Sequence, residues 1–358
     1  MSHSLPAVRA EPAVPRGERL IAETGRTLEL ELERGRIEEL RLGYERIGNP
    51  DAPTLVVLGG ISAQAHVCAH DGDPRDGWWE RLVGGGRILD TGAFNLIGMD
   101  WVGGPGNSSA PPARADELAI PAVTTGDQAR ALGILLDHLG IERVRAVVGA
   151  SYGAMVALAF GAFLPERADR VVAISGAHRS HPMATALRAL QRQIAILGAE
   201  NGDLRRGLVL ARSLAMTTYR SAEEFDQRFA MEPVRTERGF RFEVESYLQH
   251  QGETFADRFD LAHFLCLCQS LDLHRIEPGE IRAPTTLVAV REDTLVPLWQ
   301  MRKLAEGIAA PVELIEVDSP YGHDAFLVED ELIGIPLART LMQVPADRQQ
   351  PSSDSARR

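Results

Sequence analysis

The sequence predicts an α/β fold with a mostly parallel, doubly wound sheet and an inserted helical segment. Short runs rich in Val, Ile and Leu recur along the chain, at 54–60, 95–100, 144–151, 170–175, 285–290 and 312–317. Continuous apolar runs of this length are typical of strands buried on both faces of a parallel sheet. Segments of helical period separate several of them, so we expect right-handed strand–helix–strand crossovers.

The clearest of these helices is predicted to begin at Thr125. Gln128 follows three residues later and completes a capping-box pattern with that threonine. Leucines then recur at 132, 135, 136 and 139, which places them on one face of a helix. The pattern predicts an amphipathic helix that packs on the sheet.

One long interval, from about 178 to 278, carries no strand pattern. It contains three stretches of helical period instead, at 183–197, 206–219 and 245–259. We therefore predict a core in two parts, 19–177 and 280–343, with a helical lid at 178–279. A lid between two strands lies over the carboxyl edge of the sheet, where open α/β folds bind ligands. The polar, Pro- and Ser-rich ends, 1–18 and 344–358, are predicted to be flexible tails.

The composition excludes several classes of function. The chain has 358 residues, 44% of them hydrophobic, and a formal net charge of −12. An acidic surface repels nucleic acid and anionic membranes, so neither is an expected partner. No apolar run approaches the ~20 residues of a membrane span or forms the apolar core of a secretion signal, so we expect a cytoplasmic protein. The cysteines, Cys68, Cys266 and Cys268, form neither a disulfide framework nor a metal pattern, and the last two are predicted to be packed core thiols.

The strongest chemical motif is a G-x-S-x-G at 149–153. The motif closes the apolar run at 144–151 and precedes a helical pattern, which is the strand–turn–helix context of a nucleophile elbow. The flanking glycines allow the strand and the helix to pass closely at such a turn. The alternative is an ordinary glycine-rich turn. In its context the motif predicts an α/β-hydrolase fold with Ser151 as nucleophile.

A serine hydroxyl needs a base, and the base needs a carboxylate to orient it. In this fold the chain order is Ser, then acid, then His. Asp293 follows the run at 285–290, and His323 follows the next run, at 312–317. The sequence therefore predicts a Ser151–His323–Asp293 triad, with Glu292 and, less well placed, Asp318 as the alternative acids.

An acyl-transfer intermediate also needs backbone N–H donors for its oxyanion. The amide of Tyr152, directly after the nucleophile, is the first candidate. The second is the amide of Ile61, in the Gly-Gly-Ile-Ser-Ala loop that follows the run at 54–60. The alternative for this loop is a plain turn closed by its two glycines.

Three residues suggest a zwitterionic acceptor. Arg212 and Tyr219 are seven residues apart in a helical pattern and so share one face. An Arg in an apolar helix is costly to bury without an anion, and a carboxylate fits its planar fork. Asp324, next to His323, offers a negative charge to an amine. The alternatives are a surface Arg, a core Tyr, and Asp324 as the N-cap of the last helix.

The chain resembles the homoserine O-acyltransferases of α/β-hydrolase type, over most of its length from 58 to 327. The resemblance is carried by the stretches 77–86, 147–158, 173–198, 211–221, 244–260 and by the DTLVP and GHDAFL blocks at 293–297 and 322–327. It implies Ser151, Asp293 and His323 as the catalytic residues and Arg212, Tyr219 and Asp324 as homoserine contacts. It also implies a homodimer, formed through the lid, and acyl-CoA as a co-substrate, with no resident cofactor or metal.

Departures from the acetyl-using members bear on the acyl group. Those members usually carry Gly where Ala154 stands and Asn where Arg188 stands, whereas the members that share the Arg use succinyl-CoA. A pocket Arg pairs with the additional carboxylate of a succinyl group. The alternative is that Arg188 is a solvent-facing helix residue. The resemblance thus implies a homoserine O-succinyltransferase of methionine biosynthesis. The alternatives are a homoserine O-acetyltransferase, a serine O-acyltransferase and a serine esterase.

Overall fold

The structure, a computed structural model, describes residues 14–32, 35–111, 122–237 and 239–342. The strands of this part are β1 (Gly17–Glu23), β2 (Leu28–Glu29), β3 (Arg36–Ile37), β4 (Arg41–Gly48), β5 (Thr54–Leu58), β6 (Val83–Gly84), β7 (Leu89–Asp90), β8 (Asn95–Met99), β9 (Ala146–Ala150), β10 (Val171–Ile174), β11 (Val234–Thr236), β12 (Gly239–Arg241), β13 (Thr285–Val290) and β14 (Val312–Val317). Its helices are α1 (Thr125–His138), α2 (Tyr152–Phe163), α3 (Pro182–Glu200), α4 (Leu204–Tyr219), α5 (Ala222–Arg228), α6 (Glu243–Ala256), α7 (Leu261–Leu273), α8 (Leu298–Gly307), α9 (Ala325–Val328) and α10 (Asp330–Met342).

The main sheet confirms the predicted mostly parallel α/β architecture. Among the described residues it has eight strands, in the order β1-β4-β8-β5-β9-β10-β13-β14. The pairs from β8 to β14 are parallel, and β1 and β4 add an antiparallel edge. Every residue of β8, β9, β10 and β13 is buried, because helices cover both faces. Two apolar clusters, one on each face of the sheet, form the core.

The start of α1 differs from the prediction by one residue. Thr124, not Thr125, is the N-cap, and its partner in the capping box is Asp127. Asp127 satisfies the box because its carboxylate accepts from the Thr124 amide at 2.8 Å. Gln128 is instead buried, and its side chain bonds both backbone groups of Val102. The sequence pattern allowed either register, and the burial of Gln128 decided between them.

The interval predicted as a lid contains helices α3 to α7, together with one feature that the sequence analysis missed. Strands β11 and β12 form a short antiparallel hairpin there, with all of its described side chains exposed. An exposed three-residue strand has no alternating apolar pattern, which is why the periodicity did not reveal it. The division into core and lid remains a prediction.

At the ends of the chain, strand β1 begins at Gly17, two residues inside the segment predicted as a tail. Its pairing with β4 accounts for the order of these residues. The rest of the predicted tails, apart from 14–16, lies outside the described residues. None of the described helices combines the length and apolar character that crossing a membrane requires.

Candidate active site

Ser151 occupies a strained turn at the centre of the sheet. It lies between β9 and α2 with φ 55° and ψ −117°, a left-handed conformation that costs a non-glycine residue about 1–3 kcal/mol. A Cβ added at Gly149 would collide with the backbone of Gly153, and one added at Gly153 would collide with the backbone of Leu58. The glycines of the motif are therefore required by close packing, and the turn presents the Ser151 hydroxyl to the cavity above the sheet.

The structure brings the three predicted triad residues together. Ser151 Oγ lies 2.7 Å from His323 Nε2, and His323 Nδ1 lies 2.7 Å from Asp293 Oδ2. Asp293 follows β13 and His323 follows β14, so both side chains reach the same carboxyl edge as Ser151. Asp293 Oδ1 accepts hydrogen bonds from the backbone amides of Leu295 and Val296, both at 2.9 Å. These two bonds fix the carboxylate that orients the imidazole.

The charges around His323 favour its protonated form. Burial lowers the pKa of the imidazole, whereas Asp293 and Asp324 raise it, and the net pKa lies above the ordinary 6.5. The arrangement can accept a proton from Ser151 and hold it beside Asp293, which is what general-base catalysis at a serine requires.

The alternative acids have other partners. Glu292 accepts a hydrogen bond from the backbone amide of Ser319 at 2.8 Å. Asp318 pairs with Arg291 and its side chain is 76% exposed. Of the three carboxylates, Asp293 is the one bonded to the imidazole.

Both predicted oxyanion donors border the nucleophile. Tyr152 is the first residue of α2, so its N–H has no acceptor within the helix. Gly60 lies beside Ser151, because a Cβ added at Gly60 would be 3.8 Å from Ser151 Cβ. The Gly60 carbonyl and the Ile61 amide belong to the same peptide unit. Ile61 lines the cavity together with Ser151. Tyr152 and Ile61 both lie next to Ser151, and their amides remain the predicted oxyanion donors.

A cavity of about 290 Å³ extends from Ser151 and His323 up to the helices of the predicted lid. Arg212 and Tyr219, from α4, both line it, and Arg212 Nη1 donates to the Tyr219 hydroxyl at 3.1 Å. The Arg212 guanidinium also lies over the rings of Tyr219 and Phe255, at 5.1 and 5.2 Å. Within the described part of the chain it forms no ion pair with a carboxylate. A half-buried guanidinium without a counter-ion is suited to bind an anion.

Asp324 also lines the cavity, but it is already paired. Its Oδ2 accepts from Arg220 Nε at 3.2 Å, and Arg220 pairs in turn with Glu224. Asp324 occupies the N-cap position of α9, although its side chain makes no capping hydrogen bond there. An amine bound at Asp324 would therefore share the carboxylate with Arg220, a pairing that no sequence pattern predicts.

Comparisons with known proteins bear on the family to which the chain belongs. The sequence pattern of the alpha/beta hydrolase fold matches residues 46–330. A homoserine O-succinyltransferase from Xanthomonas campestris pv. campestris is 43% identical over 303 residues, which covers 85% of this chain and 79% of that protein. The chain belongs to the homoserine O-acyltransferase family of α/β hydrolases. The resemblance inferred from the motifs is thereby confirmed.

Relatives in the homoserine O-acyltransferase family differ in their named activities. An L-serine/homoserine O-acetyltransferase from Streptomyces lavendulae is 36% identical over 349 residues, covering 86% of this chain and 93% of that protein. The solved structure of esterase E22 superposes with a TM-score of 0.80 and 20% identity, over 91% of this chain and 100% of its own. That likeness shows the fold alone.

Arg188, the residue predicted to recognise the acyl group, lines the cavity with its side chain only 12% exposed. It is thus not solvent-facing. Its Nε donates to Asp272 Oδ1 and its Nη2 to Ser180 Oγ, both at 2.7 Å. Arg192 pairs with the other oxygen of Asp272. Two guanidiniums share one carboxylate, so the cluster carries one net positive charge.

Three cavity residues escaped the sequence analysis. Ser62 Oγ, Trp78 Nε1 and Ser175 Oγ are buried and have no hydrogen-bond partner within the described residues, and all three residues line the cavity. An unpaired buried polar group is costly, which is why such groups often mark ligand contacts. Serine and tryptophan carry no motif signal, so only the fold could reveal these groups.

The described residues also contain one cluster with metal-ligand types, formed by Glu45, His66 and His70. His70 Nδ1 accepts from the amides of Gly72 and Asp73, so its proton lies on Nε2 and is donated to Glu45. In a metal-binding His, the nitrogen that faces the metal carries no proton, and the other nitrogen donates its N–H to an oxygen. In His70 the nitrogen that faces Glu45 carries the proton instead. In this structure Glu45 joins the two histidines in an internal hydrogen-bond network.

Proposed function

We propose that the protein is a homoserine O-succinyltransferase, which moves a succinyl group from succinyl-CoA to the hydroxyl of L-homoserine in methionine biosynthesis. The observation that carries this proposal is the hydrogen-bonded Ser151–His323–Asp293 set in a cavity that is also lined by Arg212, which forms no ion pair with a carboxylate among the described residues. Acyl-CoA acts as a co-substrate, and the chemistry uses no resident metal or cofactor.

In the first half-reaction, Ser151 Oγ attacks the thioester carbonyl carbon while its proton moves to His323 Nε2. The amides of Tyr152 and Ile61 stabilise the oxyanion, a contribution of about 3–4 kcal/mol for one such donor. The carbon–sulfur bond then breaks, and His323 returns the proton to the departing CoA sulfur. An acylated Ser151 and free CoA result.

In the second half-reaction, the homoserine hydroxyl attacks the acyl carbon and gives its proton to His323. The bond from Ser151 Oγ to the acyl group breaks, and the proton passes back to Oγ. Arg212 and Tyr219 bind the homoserine carboxylate, and Asp324 binds its amine. Positioning this hydroxyl in place of water is what favours transfer over hydrolysis.

The choice of succinyl over acetyl rests on the Arg188–Asp272–Arg192 cluster. The cluster carries one net positive charge and its Arg188 lines the cavity, which complements the free carboxylate of a succinyl group. An acetyl group leaves that charge unused. Acetyl-CoA is the second candidate donor, because named acetyltransferases are among the relatives at 36% identity.

The test compares succinyl-CoA and acetyl-CoA side by side, with homoserine, serine or water as acceptor. We expect O-succinylhomoserine as the main product and a burst of CoA release before homoserine is added. Equal or faster turnover of acetyl-CoA would reverse the donor assignment. Hydrolysis that homoserine does not compete with would identify an esterase. Ser151→Ala should abolish both the burst and the transfer.

We also propose that the protein is a homodimer that pairs through the lid, as the resemblance implies, and that it is cytoplasmic, as the sequence patterns predict. Support comes from α3, where Met183, Leu190 and Leu197 recur every seven residues and are each more than half exposed. This spacing places them on one helix face. Sedimentation velocity should give a dimer that Leu190→Glu weakens, and a monomeric parent chain would refute the pairing. Cell fractionation tests the location.

A further inference from the structure

Trp101 connects the two halves of the predicted oxyanion hole. It follows β8, is buried with 2% of its surface exposed, and packs edge-on against the ring of Tyr152 with ring centroids 4.8 Å apart. Its indole Nε1 lies 3.3 Å from the carbonyl oxygen of Gly60, to which it donates. One side chain thus contacts both the residue after the nucleophile and the loop that holds the second donor.

The bond to Gly60 has a consequence for Ile61. The Gly60 carbonyl and the Ile61 N–H belong to one planar, trans peptide unit, in which they point in opposite directions. Two donors, Trp101 Nε1 at 3.3 Å and the Ala63 amide at 3.0 Å, hold the carbonyl. Holding the carbonyl on one side fixes the Ile61 N–H on the opposite side of the peptide plane.

The surroundings of Trp101 are themselves fixed. The Tyr152 hydroxyl forms a hydrogen bond with Ser270 Oγ at 2.7 Å and accepts one from Gln128 Nε2 at 3.2 Å. Asp100, the neighbour of Trp101, accepts from the amide of Ala65 at 2.8 Å, which anchors the far end of the same loop. The loop 60–65 is therefore held at both ends by the residues that follow β8.

We propose that Trp101 is a positioning residue that sets the direction of the Ile61 amide and so preorganises the oxyanion hole. The inference rests on the proposed covalent chemistry at Ser151. It requires that removing the indole N–H weakens the binding of a tetrahedral oxyanion while leaving ground-state binding almost unchanged.

The test removes the donor and keeps an aromatic side chain at position 101. Trp101→Phe lacks the N–H, and Trp79→Phe is the matched control because Trp79, also buried, donates its Nε1–H to the Phe326 carbonyl at 2.7 Å. The first measurement is the affinity of phenylboronic acid, which forms a tetrahedral adduct on a reactive serine. The second is kcat and KM with succinyl-CoA and homoserine.

We expect Trp101→Phe to weaken boronate binding and lower kcat by about tenfold each, with the KM for succinyl-CoA within about twofold. This is less than the 10²–10³ that loss of a whole donor costs, because the Ile61 amide is misdirected rather than removed. The control should change both quantities by less than threefold.

A Trp101→Phe variant that binds boronate no more weakly than the control would overturn the proposal, as would a rise in KM with kcat unchanged. If the variant fails to fold, benzothienylalanine at position 101 keeps the shape of the indole and removes only its N–H, and the same thresholds apply. The boronate needs neither CoA nor homoserine. A tenfold loss of its affinity therefore supports the role of Trp101 even if no acyl transfer to homoserine is detected.

Discussion

Replacing Asp293 with Asn is the sharpest perturbation of the proposed triad, because the structure dictates how the amide must lie. Asp293 Oδ1 accepts two backbone hydrogen bonds, from Leu295 and Val296. An Asn that turned its NH₂ group toward these donors would lose both bonds, at roughly 1 kcal/mol each, and leave two buried N–H groups unpaired. The oxygen therefore stays with the backbone, and the NH₂ faces His323 Nδ1.

This orientation reverses the tautomer of His323. An NH₂ group donates to Nδ1, so the imidazole proton must lie on Nε2, the atom that should accept from Ser151. The variant also lacks the negative charge that stabilises the imidazolium. We expect kcat to fall by about 10³–10⁴, which corresponds to roughly 4–5.5 kcal/mol of activation free energy.

The assay is the rate at which a fluorophosphonate probe labels Ser151, followed by the burst of CoA release from succinyl-CoA. Asp318→Asn is the control, since that carboxylate is exposed and paired with Arg291, and it should label at the parent rate. Labelling of Asp293→Asn within tenfold of the parent would show that the proposed role of this carboxylate is wrong.

Three further predictions follow from the same geometry. The base must be neutral to accept a proton, and the pKa of His323 lies above 6.5 in part because Asp324 raises it. Labelling of Ser151 by the fluorophosphonate probe should therefore fall as the pH drops through a midpoint above 6.5. Asp324→Asn should move that midpoint lower, and an unmoved midpoint would contradict this coupling. Arg188→Asn should lower kcat/KM for succinyl-CoA relative to acetyl-CoA by about 10- to 100-fold, which is the value of a charge-assisted hydrogen bond. Arg192→Gln changes the same cluster and should have a smaller effect. Equal effects of the two substitutions would contradict a direct role of Arg188. Burial raises the pKa of the thiols of Cys68, Cys266 and Cys268 to about 12. Ellman's reagent should therefore react slowly with the folded protein at pH 8, whereas after denaturation it should react with all three thiols. Rapid reaction of the folded chain would show that a thiol is accessible.

The sequence by itself determined the fold class and the residues that meet at the nucleophile. Buried parallel strands are continuous apolar runs, so their positions can be read along the chain, and the structure has strands at all six. Ser151, Asp293 and His323 each follow such a run. Because the carboxyl ends of parallel strands share one edge, their order in the chain was enough to predict their proximity.

Only the tertiary structure decided the features that depend on contacts between distant segments. The pairing of Arg188 with Asp272, 84 residues away, and of Arg220 with Asp324, 104 residues away, leaves no periodic signal in the sequence. The role of Trp101 depends on a bond to a backbone carbonyl, which any residue possesses. Local patterns record which face of an element is apolar, whereas the partner of a polar group is set by how the elements pack.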